Sequence, residues 1–175
     1  SAGMRFGATL CGGCFWALSA WGQGLPMPFE QISTLQGLSD NAITKLFQDQ
    51  DGFLWIGTEY GLDRYDGHHM RIWHKRDGLA GEHIVDILQT HDGTIWAAAR
   101  EGGLTCFDAQ GTLLRFFKPD ANDPHAIADA RITCLFDLDD TTLLIGAERT
   151  PLIFLDKRSG ICRYWKGEGP IRASE

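Results

Sequence analysis

Gly37-Leu38-Ser39-Asp40-Asn41-Ala42-Ile43, then Asp49-Gln50-Asp51-Gly52-Phe53-Leu54-Trp55-Ile56-Gly57-Thr58, then Gly61-Leu62-Asp63-Arg64-Tyr65-Asp66, is the stretch on which the fold turns. Asp51-Gly52 and Asp66-Gly67 are tight-turn signals, because Gly accepts positive φ and Asp bonds its own backbone. Between the turns lie short runs rich in Ile, Leu, Phe, Trp and Thr, residues that suit a pleated, half-buried surface. Four short strands are predicted in this unit, over 43–48, 53–57, 61–65 and 70–74. No run sustains a 3.6-residue apolar period with caps, so little helix is expected. The one place for a helical turn is Asp120-Ala121-Asn122-Asp123-Pro124.

The unit repeats. Gly37-Leu38 returns as Gly78-Leu79, Asp51-Gly52 as Asp92-Gly93 and Trp55 as Trp96, each 41 residues on; Gly61-Leu62 returns as Gly103-Leu104 after 42. A weaker third copy holds Ile132, Asp137 and Ile145-Gly146, and Trp73, Phe117 and Trp165 close the three copies. Four strands in roughly 40–45 residues is the size of one β-propeller blade, which buries its faces only against neighbouring blades. Trp55 and Trp96 are then packing wedges between blades. Leu144 takes that place in the third copy, so this blade is expected to pack less tightly.

The first copy resembles the two-component regulator propeller repeat at almost every position. Its pattern is roughly G-L-S-x-N-x-I, D-x-x-G-x-L-W-I-G-T and G-L-x-x-Y. The second copy keeps Gly78-Leu79, Asp92-Gly93, Ile95-Trp96 and Gly103-Leu104, and the third keeps the skeleton. The resemblance spans about residues 29–165. It implies the periplasmic sensor part of large bacterial membrane proteins that carry a histidine kinase or diguanylate cyclase as output. No such output segment is visible in these 175 residues, so no catalysis is expected here.

The fold class expected is therefore all-β, with about three blades of four antiparallel strands plus one leading strand, forming an open arc of an incomplete propeller. The organisation reads as a tag remnant (1–3), a signal peptide (4–24), a leading strand and linker (25–36), three blades (37–77, 78–123 and 124–166) and a tail (167–175). Arg5, the uncharged run from Phe6 to Gly24 and the small residues near Ala20-Trp21-Gly22 make the leader. Export would place the chain in the periplasm; a retained leader would leave it cytoplasmic. The run is too short and too Gly-rich for a membrane span. Closed propellers need at least four blades, so two apolar end faces are left for self-association or for further blades.

Composition narrows the partners. A net charge of −7 argues against a nucleic-acid or anionic-membrane surface, which needs a basic patch. Hydrophobic residues at 43% exclude wholesale disorder. Cys11-Gly12-Gly13-Cys14 has neither a second C-x-x-C nor a thioredoxin-like context, and is read as incidental rather than as a lipidation, redox or metal site. Cys106, Cys134 and Cys162 sit in apolar strand contexts and are read as core thiols.

Propeller sites gather on loops at one end of the channel. The loops before the first strands carry Asn41, His83 and Arg131. Those between the second and third strands carry Glu59-Tyr60, Arg100-Glu101 and Glu148-Arg149. Such a mixed acidic and Arg rim would bind a small polar ligand, a glycan fragment among them, with Arg clamping a carboxylate or sulfate; solvated hairpin turns and, for Asn41, a turn cap are the plain alternatives. His68-His69 point to opposite strand faces, and Asp137, Asp139 and Asp140 lack the Gly and distal Glu of a Ca²⁺ loop, so no metal and no cofactor are expected. Three functions remain: a non-catalytic sensor segment, an interaction scaffold joined through blade faces and, furthest from the residues present, a propeller lyase or hydrolase.

Overall fold

The computed structural model describes residues 31–127 and 131–167. The tag remnant, the signal peptide, the Cys11–Cys14 pair, Phe29 of the leading strand, Ala130 and the tail from 168 lie outside the described residues.

Among the described residues the chain is all-β apart from two short 3-10 turns. The first blade is β1 (Ile43–Gln48), β2 (Leu54–Thr58), β3 (Leu62–Tyr65) and β4 (Met70–Trp73). The second is β5 (Ile84–Gln89), β6 (Ile95–Ala99), β7 (Gly103–Phe107) and β8 (Leu113–Phe117). The third is β9 (Ile132–Asp137), β10 (Thr142–Ala147), β11 (Ile153–Asp156) and β12 (Cys162–Tyr164). Each blade is an antiparallel meander in sequence order, and among the described residues no sheet closes into a barrel. β5 touches both β1 and β9, so the first strands of the blades lie side by side.

The entry to a blade repeats as faithfully as its strands. Thr34–Gln36 and Lys75–Asp77 each form a 3-10 turn, and each ends on a glycine, Gly37 and Gly78, with φ near +103° and +106°. A side chain at either position would be strained, which is why Gly opens the motif. The residue two positions on latches onto the third strand of its own blade. Ser39 donates its backbone N–H and its hydroxyl to Asp63 Oδ2, both at 2.9 Å, and Ala80 donates N–H to Thr105 Oγ1 at 2.9 Å. Of the leading strand, Gln31 and Ile32 carry no strand structure, and Ser33 caps the first 3-10 turn.

Two apolar cores lie in the two seams between blades. Trp55, Leu62 and Trp73 of the first blade pack with Ile84, Ile87, Ile95 and Phe107 of the second. Trp96, Leu104 and Cys106 of the second pack with Ile132, Leu135, Ile145 and Leu155 of the third. The strand registers place Trp55, Trp96 and Leu144 at the same point of each blade. Leu144 and its cross-strand partner Phe136 face away from the second blade, and Phe136 is 60% exposed. Ile43 and Leu46 are exposed on the opposite end blade. Among the described residues, neither outer face has a neighbouring blade.

Two expectations are corrected. Residues 120–124 form successive turns, not a helical turn, because Asp120 and Asp123 accept the nearby Asn122 and His125 N–H groups with their own side chains. Cys106 and Cys162 are buried, but Cys134 is exposed. It sits on the same outward face as Phe136.

Candidate functional site

The Ile43↔Thr58 and Ile84↔Ala99 pairings bring the loop before each first strand beside the loop after each second strand. The candidate residues thus share one end of the blades, here called the rim. Arg100 Nη2 lies 2.6 Å from Glu148 Oε1, Arg131 Nη1 3.7 Å from Glu148 Oε2, and Arg131 Nε 3.6 Å from Glu101. These four side chains form one half-exposed ion-pair network across the second seam. Backbone bonds align it: Arg100 N–H reaches His83 O, Ile132 N–H reaches Arg100 O, and Glu148 N–H reaches Arg131 O. The guanidiniums are neutralised by Glu, so an external carboxylate or sulfate would have to exchange with Glu148 or Glu101.

The other rim residues do not join this network. Asn41 Oδ1 accepts the Thr34 N–H at 3.0 Å, and its amide donates to Thr34 Oγ1, a turn-capping role. Tyr60 is 59% exposed, and its carbonyl meets His74 Nδ1 at 2.8 Å. Glu59 and Arg149 are exposed, and His83 is half-buried.

The hairpin end holds pairings that the sequence pattern did not show. Asp49, 5% exposed, accepts the Trp55 indole N–H at 2.7 Å and the Phe53 N–H at 2.9 Å. Buried Lys157 donates to Asp137, which His91 Nδ1 also meets at 3.1 Å. A lysine ammonium therefore occupies the place a cation would take beside the Asp137–Asp140 cluster. Among the described residues no three metal-ligating side chains converge. His68 and His69 instead donate their backbone N–H groups to Asp66, whose carboxyl these bonds hold below its usual range.

Asp86 links all three blades. It pairs with Lys45 Nζ at 2.7 Å and accepts the Leu135 N–H at 2.7 Å. Both Lys45 and Asp86 follow a β-bulge, which turns the side chain of an innermost strand toward the next blade. Their spacing of one repeat was the available signal, but alternation alone did not mark either residue. Burial pushes Asp63 upward against the two Ser39 donors, and pushes the Cys106 and Cys162 thiols up to about 12 and about 11.

Residues 37–60 match the family model described as two component regulator propeller. The first blade carries the two component regulator propeller repeat. Over 59 residues, 34% of the chain, the sequence is 36% identical to Histidine kinase P4 of Formosa agariphila, and it covers 4% of that protein. Two solved structures from B. thetaiotaomicron share the propeller fold, both described as extracellular domains of hybrid two component systems. The one from BT3049 aligns with a TM-score of 0.68 at 21% identity, over 78% of this chain and 20% of that one. The one from BT4673 aligns with a TM-score of 0.64 at 13% identity, over 78% and 18%. The chain thus spans a small part of the proteins it matches. Among the described residues no helix is long and apolar enough to cross a membrane.

Proposed function

We propose that the chain supplies blades of an extracytoplasmic sensor propeller in a bacterial two-component signalling protein, binding a ligand without turning it over. The observation that carries this reading is the first blade, where a two component regulator propeller repeat is built as a four-stranded blade. The reading places residues 31–167 in the periplasm and assigns them no output chemistry; a kinase or cyclase step belongs to other segments of such a protein. The ligand is a small polar or acidic molecule, a glycan fragment among the choices, held at the rim. Two guanidiniums, Arg100 and Arg131, stand on adjacent blades in one exchangeable network, so a ligand acid group can replace Glu148 and draw the blades together.

Calorimetry with acidic and neutral oligosaccharides tests this reading. A saturable heat with an acidic member, weakened at least tenfold in Arg131→Ala, is expected. No heat across the set, together with a stable larger assembly in solution, favours the scaffold. That second reading rests on the exposed Leu46 and Phe136 of the two outer blade faces. A soluble monomer by solution mass contradicts it.

A further inference from the structure

We propose that the cleft between the second and third blades, at the hairpin end, binds a small oxyanion with the Trp96 indole N–H as its orienting donor. This site lies at the opposite end of the strands from the rim and does not depend on ligand binding there.

Two tryptophans occupy equivalent stacked settings one repeat apart. Trp55 stacks on Trp73 at 5.5 Å, and Trp96 stacks on Phe117 at 5.6 Å, both near parallel. Trp55 gives its N–H to Asp49. One repeat later the carboxylate acceptor is gone: Thr90 stands at that position, and its one hydroxyl proton is directed at Asp92 at 2.6 Å, with Thr94 O at 3.1 Å. Trp96 is 2% exposed, and its indole nitrogen has no partner among the described residues. A buried donor left unmet costs about 1–3 kcal/mol, so the position is primed for an acceptor.

Space opens beside it for the same reason. In the first seam, Phe53 and the Arg64 guanidinium, stacked 3.5 Å apart, fill the gap next to Trp55. Thr94 and Cys106 replace them in the second. The result is a cavity of about 520 Å³, with Thr94, Trp96, Cys106, Arg115, Lys157 and Arg158 in its wall. Arg115 is fixed there by donating to the Lys157 and Arg158 carbonyls. The acidic wall residue Asp92 already accepts from Thr90 and Thr94, and Asp140 stands on the wall with His91. An oxyanion supplies what the cleft lacks, an acceptor for the indole, and faces the Arg115 and Arg158 charges. The indole nitrogen lies below the surface of the cavity wall, so ligand binding requires the 91–94 hairpin to yield.

The test follows indole N–H resonances of the full chain while inorganic sulfate, and separately malonate, is added. The Trp96 signal, identified by its loss in Trp96→Phe, is expected to move saturably while that of Trp55 stays still. Thr90→Asp rebuilds the internal acceptor of the first blade; it should keep the fold and weaken the response at least tenfold. A shift with malonate only assigns the site to carboxylates, and one with both assigns it to oxyanions generally. An unchanged response in Thr90→Asp, equal movement of the Trp55 signal, or no saturable shift with either probe overturns the proposal.

Discussion

The two seams of this molecule are built on one frame and filled differently. In both, a tryptophan on the second strand stacks on an aromatic of the fourth, under an arginine on that same strand. In both, an arginine reaches over to a pair of carbonyls in the next blade: Arg64 to Ala109 and Gln110, and Arg115 to Lys157 and Arg158. The difference is which strand supplies that arginine. In the first seam it comes from β3, beside Trp55, and Phe107 of the next blade closes the aromatic group at 5.5 Å. In the second it comes from β8, one strand further out. Cys106 and Leu155 stand where the first seam has Arg64 and Phe107. The repeat therefore sets where a seam lies, and single side chains decide whether it is solid or hollow.

Removing the wedge gives the largest effect. Trp55→Ala should destabilise the chain by about 3–5 kcal/mol in urea unfolding, because it empties a fully buried site and strands Asp49. Trp96→Ala, with no such partner to strand, should cost less; an equal or larger cost would break the comparison. Asp49→Ala should cost about 1–3 kcal/mol, since it orphans the Trp55 N–H and the Phe53 N–H. Thr90→Ala in the hollow seam should cost well under that, by the same measurement.

Asp63 and its counterpart Thr105 sharpen the comparison further. Burial raises the Asp63 carboxyl, so the folded state binds its proton more tightly than the unfolded state does. Its contribution to stability is therefore present at acid pH and is lost as pH rises through the raised value. Asp63→Asn keeps an acceptor for Ser39 without the charge. It should raise the melting temperature at neutral pH, and the gain should shrink on acidification; a gain that is constant with pH would contradict this. The smallest effect is expected at the rim. Glu148→Ala removes half-exposed ion pairs and should change stability by about 1 kcal/mol or less, fading in salt.

Much of the fold was legible because its signals are local. Asp51-Gly52 and Asp92-Gly93 marked hairpins, the 41-residue return of Trp marked the blades, and the strands fell within a residue or two of expectation. The 120–124 turns were misread because Asp side chains compete with helical hydrogen bonds, which composition alone does not show. Cys134 was misread because an apolar strand context does not say which blade face is covered. At the rim, sequence spacing brought the candidate residues to one end. It did not show that Arg100, Glu101, Arg131 and Glu148 pair with one another, or that Asn41 turns inward to cap Thr34.

The sequence by itself determined the repeat, its turns and its wedges, since each depends on residues a few positions apart and on the freedom of glycine or the bulk of tryptophan. Only the tertiary structure decided the joints. The Lys45–Asp86–Leu135 link and the cavity closed by Arg115 and Lys157 arise where residues some 40–50 positions apart meet. Such meetings depend on how neighbouring blades fill the volume between them, and no single repeat carries that information.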